Sequence, residues 1–174
     1  MKSGLLTHGF LAVVAMIMAV MPFSSYAEGD KSDLDRQRIE RAIKALGNGK
    51  GDWKLLTVTY DDLHSLHGGL TLTIHGNGKV EQTARRTAAG EIKTVTAAEL
   101  RKLVELLYRH KAWEQRTPER PAIPDESRSQ LIISYGNDTV TIWEWYNDMD
   151  KNKRIIEIRE FMKKIAWKAV RKSG

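Results

Sequence analysis

An α+β domain is what this 174-residue sequence predicts: an antiparallel sheet of about five strands, built from two hairpins plus one strand, with helices packed on one face. Three observations carry the prediction. Leu70-Thr71-Leu72-Thr73-Ile74-His75 alternates apolar and polar residues without error and runs into Gly76-Asn77-Gly78. A second alternating pair, Ser129–Tyr135 and Thr139–Tyr146, flanks Gly136-Asn137-Asp138. Apolar stripes at helical spacing lie before, between and after these hairpins, a segregated order unlike the strict βαβ alternation of parallel sheets.

The elements follow in chain order. Ser32 followed by Asp35 approximates a capping box, and Leu34, Ile39, Ala42, Ile43 and Leu46 form the apolar stripe of a short helix. Gly47-Asn48-Gly49-Lys50-Gly51 ends that helix and reads as a flexible hinge, which separates an N-terminal unit at 28–52 from an α+β domain at 53–174. Trp53–Tyr60 reads as a strand, with Leu56, Val58 and Tyr60 alternating with threonines. In the first hairpin, glycines around Asn77 supply the positive φ of a tight turn before Lys79–Arg86 returns. Leu70, Leu72, Ile74 and Val80 should then face the core, leaving Thr71, Thr73 and His75 outside. Thr96 and Glu99 form a second capping box, ahead of a helix from about Ala97 to Lys111 with Leu100, Leu103, Val104 and Leu107 on one side. Three prolines between Thr117 and Asp125 exclude a ladder and predict an extended loop. Lys153–Lys172 closes the chain as a helix with Ile155, Ile158, Met162, Ile165 and Ala169 on one face.

The N-terminus predicts export. No acid occurs between Lys2 and Ala27, and Phe10–Met21 is wholly apolar. Pro22 then breaks the run and Ser25-Tyr26-Ala27 offers the small residues a signal peptidase reads, so residues 1–27 are expected to be cleaved after Ala27. The apolar run is shorter than the roughly 20 residues of a membrane span, so stable insertion is not expected after cleavage. The expected location is the periplasm or the extracellular space. Cleavage leaves 147 residues with 27 basic and 22 acidic side chains, a formal charge of +5. One self-sufficient domain of this size needs no disulfide, and the chain has no cysteine for one or for a lipid anchor. Basic residues are interleaved with acids, which describes a solvated surface and predicts no specific nucleic-acid partner.

Candidate chemistry is sparse. Asp61, Asp62, His64 and His67 crowd before Gly68-Gly69, and the His-x-x-His spacing makes Asp61, His64 and His67 candidate metal ligands that His75 could join in space. The alternative is a solvated loop, because no rigid helical motif locks the geometry. Asp148-x-Asp150-x-Asn152 imitates the opening of a calcium loop, but Lys153 stands where glycine is required and Arg159 where glutamate is. A polar turn capping the last helix is the better reading. Lys163, Lys164, Lys168, Arg171 and Lys172 complement the negative end of that helix's dipole. Trp143 and Trp145 share one side of their strand. With Thr71, Thr73 and His75 they define a candidate binding surface for sugars or an apolar partner. Aromatic stripes on strands usually pack, which favours the core for the same pair. Neither a catalytic constellation nor a cofactor motif is recognisable, so the sequence leans away from an enzyme and implies no cofactor.

Gly68-Gly69 leading into Leu-Thr-Leu-Thr-Ile-His-Gly-Asn-Gly-Lys-Val, the Thr96–Glu99 helix start and Pro124-Asp125 before a strand resemble a set of exported bacterial domains of unknown function, over about Gly68 to Trp143. The Gly-Gly start, central helix and late hairpin are also similar to emfourin-type protein inhibitors of metalloproteases. These motifs are structural, so no functional residue is carried over. The expected function is therefore a non-catalytic periplasmic or secreted domain that binds a protein or an envelope component. The alternatives are a secreted protease inhibitor that inserts Arg116–Asp125 into an enzyme cleft and a metal-binding protein that uses the Asp61–His67 loop.

Overall fold

The structure is a computed structural model that describes residues 26–62, 69–84, 92–114, 118–121 and 123–167. Its elements are α1 (Tyr26–Gly47), β1 (Leu56–Asp61), β2 (Leu70–His75), β3 (Val80–Ala84), α2 (Ala97–Arg109), β4 (Arg128–Tyr135), β5 (Asp138–Trp145) and α3 (Lys153–Ala166). Short 3-10 turns at Trp53–Leu55 and Tyr146–Lys151 precede β1 and α3. The strands form one five-stranded antiparallel sheet in the order β3-β2-β1-β4-β5. The expected α+β architecture holds, and the single strand β1 lies at its centre, joining the two hairpins.

Turn chemistry sets the register. In the first hairpin Gly78 takes φ +86°, its amide donates to His75 O and the His75 amide donates to Lys79 O. This is the three-residue loop ending in a left-handed residue that suits the strand twist. In the second, Gly136 takes φ +61° and Tyr135 pairs with Asp138 across a two-residue turn. That short turn dictates the whole β4–β5 ladder, so Gln130 faces Trp143 and Arg128 faces Trp145.

All three helices lie on one face of the sheet. Ile39, Ile43 and Leu46 of α1, Leu103, Val104 and Leu107 of α2, and Ile155, Ile158, Met162 and Ile165 of α3 join one core. Leu56, Val58, Tyr60, Leu72, Ile74, Leu131, Ile133 and Ile142 enter that core from the strands. α1 leans on β4 and β5, α3 reaches β2, and α2 contacts both neighbouring helices. Burying each of these side chains contributes on the order of 1.5–3 kcal/mol. No helix among the described residues is long and apolar enough to cross a membrane.

Several boundaries differ from the sequence expectation. Ser32 lies inside α1, six residues after its start, and does not cap the helix. The glycine-rich segment after α1 is a closed turn, with the Asn48, Gly49 and Lys50 amides donating to Lys44, Leu46 and Ala45 carbonyls. Trp53–Leu55 is a 3-10 turn, so the strand begins at Leu56. α2 carries the expected capping box, and Lys93 with the Thr96 amide holds the Glu99 carboxyl down at about 2. It ends at Arg109 rather than Lys111, which takes φ +46°. α3 ends at Ala166 because Trp167 turns extended and bridges Ile92, while Lys93 N donates to Ala166 O. The outer part of the expected basic end, Lys168, Arg171 and Lys172, lies outside the described residues. Asn152 caps α3 by accepting from the Arg154 amide, as the polar-turn reading of Asp148–Asn152 predicted.

The Gly78 turn makes a stability prediction. A Cβ there would sit 2.5 Å from Val95 O at an unfavourable φ, whereas one on Gly47 would meet nothing within 4 Å. Gly78→Ala should cost more than about 1 kcal/mol in urea denaturation. Gly47→Ala should change stability by less than about 0.5 kcal/mol or increase it. Equal effects of the two substitutions would contradict the assigned turn geometry.

Candidate functional site

With the helices on one side, the other side of the sheet is built from the remaining alternate residues, and no described element packs over it. Ladder registers arrange them in rows. Glu81, Thr73, Thr59, Ile132 and Thr141 form one row across the five strands, and Thr83, Thr71, Asp61, Gln130 and Trp143 form the next. His75, Thr57, Ser134 and Thr139 form a third at the far end. Neighbouring hydroxyls are linked, Thr59 to Thr73 at 2.9 Å and Ser134 to Thr139 at 2.9 Å.

Trp143 and Trp145 lie on this open face, half-buried, which overturns the core position that strand statistics favoured. The reason is parity: Val140, Ile142 and Glu144 alternate with them and take the helix side, where Ile142 is fully buried. The two indole rings meet edge to face, with centroids 5.1 Å apart at 78°. Arg128 lays its guanidinium over them, 4.0 Å from the Trp143 centroid and 5.2 Å from that of Trp145. Trp145 Nε1 donates to Arg120 O at 3.0 Å, which fixes its ring. Thr71, Thr73 and His75 are on the same face but toward β2, separated from the tryptophans by β1 and β4. The predicted surface residues therefore share a face in two groups rather than one cluster.

A cavity of about 710 Å³ opens beside Trp145, lined by Asp61, Gln130, Arg128 and the turn Ile123–Ser127. The turn is braced from beneath. Glu126, with a side chain only 2% exposed, accepts two hydrogen bonds from Arg120 at 2.7 and 2.8 Å and others from the Ile123 and Asn147 amides. Asp148 also accepts from Arg120 and from Lys151. The Arg120 hydrogen bonds, strengthened by those two amides, pull the Glu126 carboxyl down to about 2. Above this brace Ile123 is 52% exposed and Asp125 adopts φ +62°, a conformation disfavoured for any residue with a Cβ. Neither the brace nor the Arg128 position was foreseen from sequence. The second was within reach, since a two-residue Gly136-Asn137 turn places Arg128 opposite Trp145 by counting alone.

The metal-site residues have mixed fates. Asp61 faces the cavity and accepts from Thr71 Oγ1 at 3.0 Å. Asp62 is structural: its buried carboxylate accepts from the Tyr60 hydroxyl and the Leu70 amide, both at 2.6 Å. Burial, then the Asp62 carboxylate, pushes the Tyr60 phenol well above its ordinary range. His75 cannot join Asp61. It pairs with Thr57 whereas Asp61 pairs with Thr71, a separation of four residues or about 13 Å along the strands. His64 and His67 lie outside the described residues. Among the described residues no three potential ligands gather at a metal-binding geometry.

Comparison with protein-family models, with curated proteins and with solved structures finds no match to this chain.

The brace under the turn has a pH signature. A carboxyl lowered from 4.5 to about 2 on folding contributes stability that is fully present above its unfolded value and lost as pH falls toward its folded one. Urea midpoints should decline between about pH 5 and pH 2. Glu126→Gln should lower the midpoint at pH 7 and flatten this acid limb, leaving the parts that Glu99, Glu81, Glu105 and Asp148 carry. An unchanged acid limb in the variant would show that the brace is not formed in solution.

Proposed function

We propose that this chain is a non-catalytic binding domain, exported to the periplasm or beyond by cleavage after Ala27, which recognises a protein or a cell-envelope component through the open face of its sheet. The observation that carries the reading is the Trp143–Trp145–Arg128 cluster on the side the helices leave uncovered. Tryptophan and arginine dominate recognition surfaces because each presents a large, partly rigid area with both apolar and hydrogen-bonding character. A domain that used these residues only for its own stability would bury them, and the core here closes without them. The threonine rows beside them supply short hydroxyls on a regular lattice, a surface with few rotamers to freeze on binding.

One observation favours a second reading, a secreted protease inhibitor. Such a protein needs an extended loop held rigidly in reach of an enzyme cleft, and the Arg120–Glu126–Asp148 brace beneath exposed Ile123 and Pro124 is of that kind. A panel of extracellular metallo- and serine proteases assayed with excess protein tests it. Persisting activity of every enzyme removes this reading.

The main reading is tested with the purified domain titrated with peptidoglycan fragments, glycans and envelope proteins, followed by tryptophan fluorescence and by amide chemical shifts. We expect shifts confined to β4, β5 and the 123–128 turn. Trp143→Ala with Trp145→Ala should weaken binding at least tenfold while the amide shifts of β1, β2 and the helices show the fold retained. Binding retained in full by this double variant would move recognition off the open face.

A further inference from the structure

We infer that Met149 is a site of reversible oxidation, where a hydroperoxide leaves one oxygen atom on the sulfur and Ser129 and Arg159 then hold that oxygen. The site lies on the helix side of the sheet, among side chains the open face does not use, so it stands apart from the recognition reading.

Ser129 is the starting point. It is fully buried, and its hydroxyl donates to Met149 Sδ at 3.1 Å. A thioether is a weak acceptor, so a hydroxyl shut away from water receives little in exchange for its lost hydration. Arg159 Nη1 donates to the same sulfur at 3.5 Å, while its Nε is taken by Glu160 at 2.8 Å. The Tyr60 hydroxyl also lies 3.5 Å from the sulfur, but its one proton goes to Asp62 at 2.6 Å. Two donors thus converge on an acceptor too soft to use them fully. A sulfoxide oxygen is a far better acceptor, and oxygen adds along a sulfur lone pair, the direction these two donors already mark. Met149 is half-buried, and its unbranched side chain has the rotatable bonds to draw the sulfur back and admit the added atom.

A hydroperoxide supplies both the oxygen atom and the oxidising equivalents. A sulfur lone pair attacks the outer peroxide oxygen, the O–O bond breaks as the S–O bond forms, and the proton on the transferred oxygen passes to the departing hydroxide or alkoxide. Sulfur loses two electrons and the peroxide leaves as water or an alcohol. Two thiols of a reductase reverse the step, becoming a disulfide while the oxygen departs as water. The sulfoxide carries no net charge, so the buried carboxylates of Asp62 and Glu144 nearby do not exclude it as they would an anion. The proposed cleavage after Ala27 leaves Met149 and Met162 as the methionines of the mature chain, with no cysteine to be oxidised first. Met162 is fully buried in the core and Met149 is not, so peroxide meets Met149.

The test treats the purified protein with hydrogen peroxide and follows each methionine by peptide mass mapping. In the folded protein Met149 should gain oxygen faster than Met162 by about tenfold or more, and in urea the two should react alike, because burial is what separates them. The folded product should be a single sulfoxide epimer, returned to methionine by only one of the two epimer-specific reductases. Its urea midpoint should match or exceed that of the reduced protein. Ser129→Ala and Arg159→Gln are each compared with their own reduced form, so the cost of the substitution itself drops out. In both, oxidation of Met149 should lower the midpoint, and Ser129→Ala should yield both epimers. Met149→Leu should leave the midpoint indifferent to peroxide. Equal oxidation of Met149 and Met162 in the folded protein overturns the inference, as does a mixture of epimers in the wild type. A wild-type midpoint that falls on oxidation as far as in the two variants overturns it as well.

Discussion

Everything in the described part of this molecule follows from three helices covering one side of a five-stranded sheet. Each strand alternates its side chains, so once α1, α2 and α3 seal against Leu56, Val58, Tyr60, Leu72, Ile74, Leu131, Ile133 and Ile142, the fate of every other strand residue is decided. Those residues form the second face whether or not they suit water. Most do, being threonines, serine and charged groups. Ile132, Trp143 and Trp145 do not, and the two tryptophans are held in place by edge-to-face contact and by Arg128 laid over them. A pair of large rings retained on that side is the departure from ordinary economy that gives the face its functional interest.

Two polar locks, one of them buried, hold the end of the sheet where this cluster sits. Tyr60 and the Leu70 amide converge on Asp62, which ties the end of β1 to the start of β2. Arg120, Glu126 and Asp148 tie the proline-containing segment to the turn before α3. Asp62 is buried, so losing one of its partners strands the other, whereas in the second arrangement the Glu126 side chain is covered and Arg120 stays about one-third exposed; both act as fixed points more than as sources of net stability. Their effect is to pin the segments that frame the cavity, and a cavity whose walls do not move costs less to fill.

Legibility of the sequence tracked the range of the interaction. The Leu70–His75 alternation, the Gly76-Asn77-Gly78 turn and the Thr96–Glu99 box are decided within a few residues, and each was readable directly. Ser32 misled because a capping preference is worth only about 1 kcal/mol and a continuing helix outweighs it. The length of α3 misled because Trp167 leaves the helix to pair with Ile92, some 75 positions earlier. The tryptophans were undecidable: their spacing puts both on one face, but which face the helices cover depends on how three separate amphipathic stripes meet one sheet. His75 and Asp61 are kept apart by the β1–β2 register, a pairing between two strands that neither strand's own sequence contains.

The sequence by itself determined the fold class, the two hairpins with their turns, the stripes of the helices, and the division of every strand into two sets of alternate residues. These are local consequences of backbone dihedrals and hydrophobic period. Tertiary structure alone decided that β1 sits between the hairpins, that Trp143 and Trp145 stay on the uncovered side, and that Arg128, Gln130 and the 123–127 turn converge beside them. The reason is that burial is settled collectively: a strand's inner face is whichever one the rest of the chain packs against, and no window of sequence contains that partner.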